Sequence, residues 1–246
     1  MEVQDPRMPP RRWVVTGASR GIGRSIAERA IASGDRVCLV ARNPDITEVA
    51  RELGDRAMGI AADVTDPDQV SRCCEAVAGA WGGVDVLVNN AGLHRGGLVD
   101  RIALDDFEAV LDTNVGGPLN TIRSCLPHFP ETGGAIVNIG AVVGMRGFAG
   151  DVAYGSSKAA LSGMTQVLAV ELARRGIRVN LVIPGFVSTE MTAEIPEKAR
   201  ARIIEDIPLR REGSAEEIAD VVFWVAGSSY MTGSIVATDG GLMCKL

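Results

Sequence analysis

The chain has no surplus of positive charge: across its 246 residues, 25 Lys and Arg stand against 31 Asp and Glu, a net charge of -6. The basic residues are also scattered, which excludes the concentrated positive field that nucleic acid binding requires. No apolar run reaches the roughly 18 residues of a membrane span. The N-terminus has no signal-peptide core, so a cytoplasmic location is expected. The 5 cysteines, Cys38, Cys73, Cys74, Cys125 and Cys244, are odd in number and form no Cys-x-x-Cys pair. Free thiols are expected, and adjacent Cys73 and Cys74 lack the spacing to chelate a metal. Internal repeats, low-complexity tracts and linkers are lacking too.

What is present is an alternation of short β-branched runs with helical patterns, the mark of repeated βαβ units. Strands are predicted at residues 13–16, 37–40, 59–62, 84–88, 135–139, 179–183 and near 234–236. Most are continuous apolar runs, as parallel strands covered on both faces require. Helices are predicted between them, including 24–32 and 156–175. The fold class is therefore α/β: a single doubly wound parallel sheet of about seven strands with helices on both faces. A chain this long buries about three-quarters of its unfolded surface and needs no disulfide or metal staples. Residues 1–12 mix charge and proline and are expected to form a flexible arm before a single domain at 13–246.

A glycine-rich turn, Gly17-Ala18-Ser19-Arg20-Gly21-Ile22-Gly23, follows the first strand and opens the first helix. Glycines here permit a tight turn, a close backbone approach to a pyrophosphate, and close helix–strand packing. The helix N-terminus offers unpaired N–H groups and a positive dipole end to phosphates. At the end of the second strand, where an acid usually holds the ribose hydroxyls of NAD, the chain has Ala41 and Arg42. Arg42 and Arg20 suit a 2′-phosphate, which favours NADPH; the alternative is that Arg42 is a solvated loop residue.

Tyr154 and Lys158 lie one helical turn apart and share a face. A tyrosine hydroxyl can protonate a developing alkoxide. An unperturbed tyrosine titrates near about pH 10, so a neighbouring positive charge that lowers this value is useful.

These segments, together with Asn89-Asn90-Ala91-Gly92 after the fourth strand, resemble the short-chain dehydrogenase/reductase family over nearly the whole chain. The resemblance implies a Rossmann-like domain that binds NADPH and reduces a ketone. It implies that Asp63 and Val64 meet the adenine, and that Asn90, Ala91 and Gly92 line the cofactor. Pro184, Gly185, Val187 and Thr189 would cover the nicotinamide, and Lys158 would bind the nicotinamide ribose. Asn114 matches the asparagine whose bound water links the lysine to solvent. Residues 189–211 would form a mobile lid, which excludes water on closure. The resemblance also implies a homotetramer, assembled through the helix near Ser156 with the helix of Asn114, and through the apolar tail of residues 236–246.

The family's catalytic serine falls at Ala141. Its hydroxyl orients the substrate carbonyl, and loss of one such donor typically costs about 10²–10³ in turnover. Gly140 has no side chain, Asn138 lies inside the strand, and Ser156 and Ser157 lie past the tyrosine. Asp151 is in the right loop but is an acceptor at neutral pH. Three readings stand: an engineered Ser→Ala change that traps a bound complex, a natural member with weak or no activity, or a substrate with its own hydrogen-bonding group. The retained Tyr154, Lys158 and Asn114 favour the first. A non-catalytic NADPH sensor or scaffold is the rival from another class.

Within the family the chain most resembles the 3-oxoacyl-acyl-carrier-protein reductases, with polyketide ketoreductases and reductases of small ketones as alternatives. The subgroup docks an acidic carrier through basic residues, but residues 129–134 carry none, and Arg174 and Arg175 remain on the helix. That weakens the carrier protein as a partner and makes a small ketone or coenzyme-bound acyl chain an alternative. His94 and Arg95 are candidates to shape the substrate mouth; an exposed loop role for His94 is equally consistent.

Overall fold

The computed structural model describes residues 9–193 and 195–244. The start of the arm, Glu194 of the lid, and Lys245 and Leu246 of the tail lie outside them. The chain runs β1 (Arg12–Thr16), α1 (Gly21–Ala32), β2 (Arg36–Ala41), α2 (Ile46–Leu53), β3 (Ala57–Ala61), α3 (Pro67–Trp81) and β4 (Val86–Asn89). It continues through α4 (Leu104–Leu111), α5 (Gly117–Cys125), β5 (Gly134–Ile139), α6 (Val152–Leu172), β6 (Ile177–Pro184), α7 (Glu190–Ala193), α8 (Glu197–Asp206), α9 (Ala215–Gly227) and β7 (Ile235–Thr238). Among the described residues the strands form one 7-stranded sheet in the order β3-β2-β1-β4-β5-β6-β7. Every pairing is parallel.

Strand periodicity explains the two covered faces. Trp13, Val15, Val37, Leu39, Val86 and Val88 pack with Ile26 and Ala27 of α1, Ile46 of α2 and Val222 of α9. Val14, Cys38, Leu87, Ile136 and Val179 point the other way, onto Val70 and Val77 of α3, Ile122 of α5 and Leu172 of α6. Fully burying each such Val or Leu contributes about 1.5–3 kcal/mol. A third cluster joins Leu161, Leu181, Ile183, Phe186, Ile207 and Leu242, with Ile203 and Ile204 of α8 packed against it. The 5 cysteines are free, and Cys38, Cys73, Cys74 and Cys125 are buried.

The boundaries that bear on the site differ from the sequence expectation. Arg11 and Arg12, which the sequence assigns to the arm, are fixed to the domain by paired charges. Arg11 Nε donates to Asp35 Oδ2 at 3.0 Å, and Arg12 grips Asp85 through Nε and Nη2, both at 2.7 Å. The helix expected from Ser156 begins at Val152, which puts Tyr154 in its first turn. The segment expected to form a lid holds two separate helices, α7 and α8, with Pro196 at the cap position of α8.

The sheet positions the site. The chain leaves β1 toward β2 and β3 on one side, then crosses back to β4 and proceeds the other way. Loops from β1 and β4 therefore diverge at the carboxyl edge, which opens a crevice there.

Candidate active site

The crevice is a cleft of about 670 Å³. Its walls include Gly17, Ser19, Arg20, Gly21, Ile22, Arg42, Asp63, Val64, Asn90, Ala91, Gly92, Ala141, Tyr154, Lys158, Pro184, Gly185, Val187 and Thr189. Residues predicted from distant segments thus come together at one surface. Gly23 and Asn114 do not line it; both lie behind the wall. Thr113, Asn43, Asp45 and Thr192 also line the cleft, although no sequence motif marks them.

At one end the backbone sets the shape. Gly17 and Gly21 have φ values of +64° and +54°. A Cβ on Gly17 would lie 2.8 Å from Ala91 Cα, and one on Gly23 only 2.4 Å from the Gly17 carbonyl oxygen. Asn90 stitches the β1 and β4 turns: its Nδ2 donates to the carbonyls of Thr16 and Gly17, both at 3.0 Å. Asp63 is not the helix-start residue of α3. That role belongs to Asp66, which accepts from Asp68 N and Gln69 N. Asp63 instead accepts from Thr65 N and Oγ1.

The N-terminus of α1 stands open to the cleft. Arg20 occupies its cap position without a side-chain cap bond, and its first turn holds no acid. By contrast, α9 closes its own N-terminus with a Ser214–Glu217 capping box. The free N–H groups of α1 fit an anionic group. Arg20 and Arg42 are exposed on the same wall and, among the described residues, enter no ion pair.

At the other end side chains set the chemistry. Ala141 lies at the cleft with extended backbone, φ -164° and ψ 153°, before a short 3₁₀ turn. Tyr154 is half-buried, and Lys158 Nζ lies 5.6 Å from its ring centroid. Lys158 is buried and donates to the Ile139 carbonyl at 2.8 Å. Desolvation lowers Lys158 to about 8. Desolvation, with the negative charge of Asp151 adding to it, raises Tyr154 to about 12. The net direction is upward, opposite to the expected one: burial and the Asp151 charge set it.

Asn114 sits in a π-helical stretch, Asp112–Gly116, between α4 and α5. Such local widenings occur often at functional sites. The side chain is 1% exposed, accepts from Leu93 N at 2.7 Å, and donates to Leu93 O and Ser157 Oγ. Ser157 in turn donates to the Tyr154 carbonyl at 2.7 Å. Asn114 thereby joins the β4 loop to the tyrosine helix. Asn138 is occupied in the core, accepting from Asn89 Nδ2 and donating to Thr165 Oγ1.

His94 is more than a loop residue. Its Nε2 lies 2.8 Å from Asp151 Oδ1, and its ring stands edge-on to Tyr154 at 5.0 Å between centroids. Hydrogen bonding to Asp151 raises its pKa above the usual 6.5. Sequence reading marks both residues but does not pair them across 57 positions. The usable signal is topological, since β4 and β5 are neighbours and their following loops meet at one edge.

A doubly wound sheet with a glycine turn at one end of its crevice and a tyrosine–lysine helix at the other defines a Rossmann-like domain of the oxidoreductase type. The chain belongs to the short-chain dehydrogenase/reductase family. The family model described as enoyl-(acyl carrier protein) reductase matches residues 17–243. The chain is 42% identical over 231 residues to carbonyl reductase family member 4 of Danio rerio, covering 93% of this chain and 96% of that protein. It is 39% identical over 244 residues to the 3-oxoacyl-[acyl-carrier-protein] reductase FabG of Thermotoga maritima, covering 96% and 99%. Among solved structures, a blue fluorescent protein from a metagenomic library, in complex with NADPH, superposes with a TM-score of 0.89 at 37% identity, covering 94% and 97%.

Proposed function

We propose that this protein uses NADPH to reduce a ketone to a secondary alcohol, most readily the ketone of a 3-oxoacyl thioester. The observation that carries the reading is the single cleft shared by the open α1 N-terminus, Arg42, Tyr154 and Lys158. When bound, NADPH supplies the hydride. Gly17, Ser19, Gly21, Ile22 and the α1 N-terminus would hold its phosphates, with Gly23 allowing the helix to approach. Arg20 and Arg42 would hold the 2′-phosphate, and Asp63 and Val64 the adenine. Asn90, Ala91, Gly92, Pro184, Gly185, Val187 and Thr189 would hold the nicotinamide half. Tyr154 gives its proton to the carbonyl oxygen, and the Lys158 ammonium stabilises the tyrosinate that remains. Asn114 fixes the geometry of both through Ser157 and Leu93.

Ala141 offers the carbonyl oxygen no hydroxyl, so turnover is lower than the scaffold permits. Restoring it tests the reading: Ala141→Ser should raise ketone-dependent NADPH oxidation. Absence of turnover in both forms, across 3-oxoacyl thioesters and simple ketones, would sink it in favour of an NADPH sensor or scaffold.

Carrier-protein docking is the weaker branch. Arg174 and Arg175 are both exposed there, and Arg175 also donates to the Leu126 carbonyl at 2.6 Å, so among the described residues two cations are all this face presents. A small-thiol thioester should therefore be reduced as well as the same acyl chain on an acyl carrier protein. We also propose a homotetramer. Val167 and Val170 on α6 are 56% and 78% exposed, and Leu119 on α5 is 42% exposed. At the other face Trp224 and Ile235 are exposed, whereas Leu242 of the tail is buried within its own chain. Sedimentation as a monomer would contradict the assembly. The α7–α8 segment is proposed as the lid, tethered by Arg200 to Glu212 and to the Thr192 carbonyl. No helix among the described residues is long and apolar enough to cross a membrane; a cytoplasmic location is part of the same proposal.

A further inference from the structure

We propose that His94, held by Asp151, donates a hydrogen bond to the substrate carbonyl oxygen and so takes over part of the role left open at Ala141. The inference rests on the reductase reading. Ala141 and Tyr154 line one end of the cleft. His94 stands against the Tyr154 ring, two residues after Gly92 of the same wall. His94 itself is not part of the cleft wall but stands against the Tyr154 ring, and the proposed bond turns its remaining ring nitrogen toward the oxygen that Tyr154 protonates.

The tautomer is set by chemistry. The Asp151 carboxylate only accepts, so His94 Nε2 must carry the hydrogen of their 2.8 Å bond. Among the described residues no group bonds Nδ1. In neutral imidazole Nδ1 is then a lone pair and cannot donate. In the imidazolium it carries N–H and can. Asp151 therefore acts as a positioning residue: it fixes the ring and favours the charged form. Asp151 itself is fixed by the parallel bridge to Gly97, which ties the β4 loop to the start of α6. The other groups near the ring are Tyr154 and, beyond it, Lys158; neighbouring Arg95 faces Asp106 of α4 at 3.8 Å.

The sign of the pH effect is fixed. Donation is present below the raised His94 value and is lost as pH rises through it. Asp151→Asn lowers that value, so the fall in kcat/KM moves to lower pH. The separate fall from Lys158, lowered to about 8, stays in place.

The test is a double-mutant cycle between His94→Ala and Ala141→Ser, read by ketone-dependent NADPH oxidation. Removal of His94 should lower kcat about tenfold or more, part of the about 10²–10³ that one full donor contributes. Adding Ala141→Ser should restore it, so that the gain from serine is about tenfold larger without His94 than with it. A purely structural role beside Tyr154 gives no such rescue. His94→Gln, an uncharged donor, should keep more activity than His94→Ala and lose the pH-dependent fall that Asp151→Asn shifts. Equal serine gains in both backgrounds overturn the inference while leaving the reductase reading intact. Activity in Ala141→Ser with none in the Ala141 protein also overturns it. Inactivity of every form, with NADPH still bound, removes the reductase reading and this inference together.

Discussion

The two ends of the cleft are built differently. At the nucleotide end, over β1 and β2, the shape is backbone: positive-φ glycines, a helix start without a cap, and turns stitched by Asn90. Little can change there without moving the chain. At the chemical end, over β4 and β5, side chains from distant segments reach inward. Ala141 has an extended backbone that any residue adopts, so a serine and an alanine fit the fold equally. The first end is intolerant in structure; the second is tolerant in structure and intolerant in chemistry.

Three variants sharpen that contrast. The largest effect is expected at the chemical end. Tyr154→Phe removes the proposed proton donor and should lower kcat by about 10²–10⁴, the range for a positioned acid. NADPH affinity and melting temperature should stay within error; loss of NADPH binding would contradict the division of roles. Next comes Arg42→Ala at the nucleotide end. Charge-assisted bonds contribute about 1.5–3 kcal/mol, so the NADPH Kd should rise about 10–100-fold with the NADH Kd unchanged. Equal losses for both nucleotides would return Arg42 to a solvated loop. The smallest effect is Gly23→Ala. Its methyl would lie 2.4 Å from the Gly17 carbonyl oxygen, and overpacking costs about 1–3 kcal/mol. For a domain of this size each kcal/mol is about 2–4 °C in melting temperature. An unchanged melting temperature would show that the α1 approach is not tight.

The same contrast explains what can be read in the sequence. All 7 strands are legible because buried parallel strands are continuous apolar runs. The glycine turn is legible because its constraint is local. The start of α6 is not: Tyr154, Gly155 and Ser156 carry no apolar periodicity, and the bridge between Gly97 and Asp151 sets that boundary from outside the helix. The π-helical stretch at Asn114 leaves no local signature either, since its side chain bonds lie on Leu93 and Ser157. The net pKa direction of Tyr154 is misjudged from sequence because spacing reveals a shared face but not how dry it is. Pairing His94 with Asp151 needs the strand order, which only the fold supplies.

The central claim is that the chemical end lacks a hydroxyl and nothing else. The direct measurement is kcat for ketone-dependent NADPH oxidation by the Ala141→Ser protein beside the Ala141 form, with NADPH Kd measured on both. The account predicts a rise of about tenfold or more in kcat at an unchanged Kd, the part of one donor's about 10²–10³ that His94 does not already supply. An unchanged kcat with NADPH bound equally in both forms would contradict it.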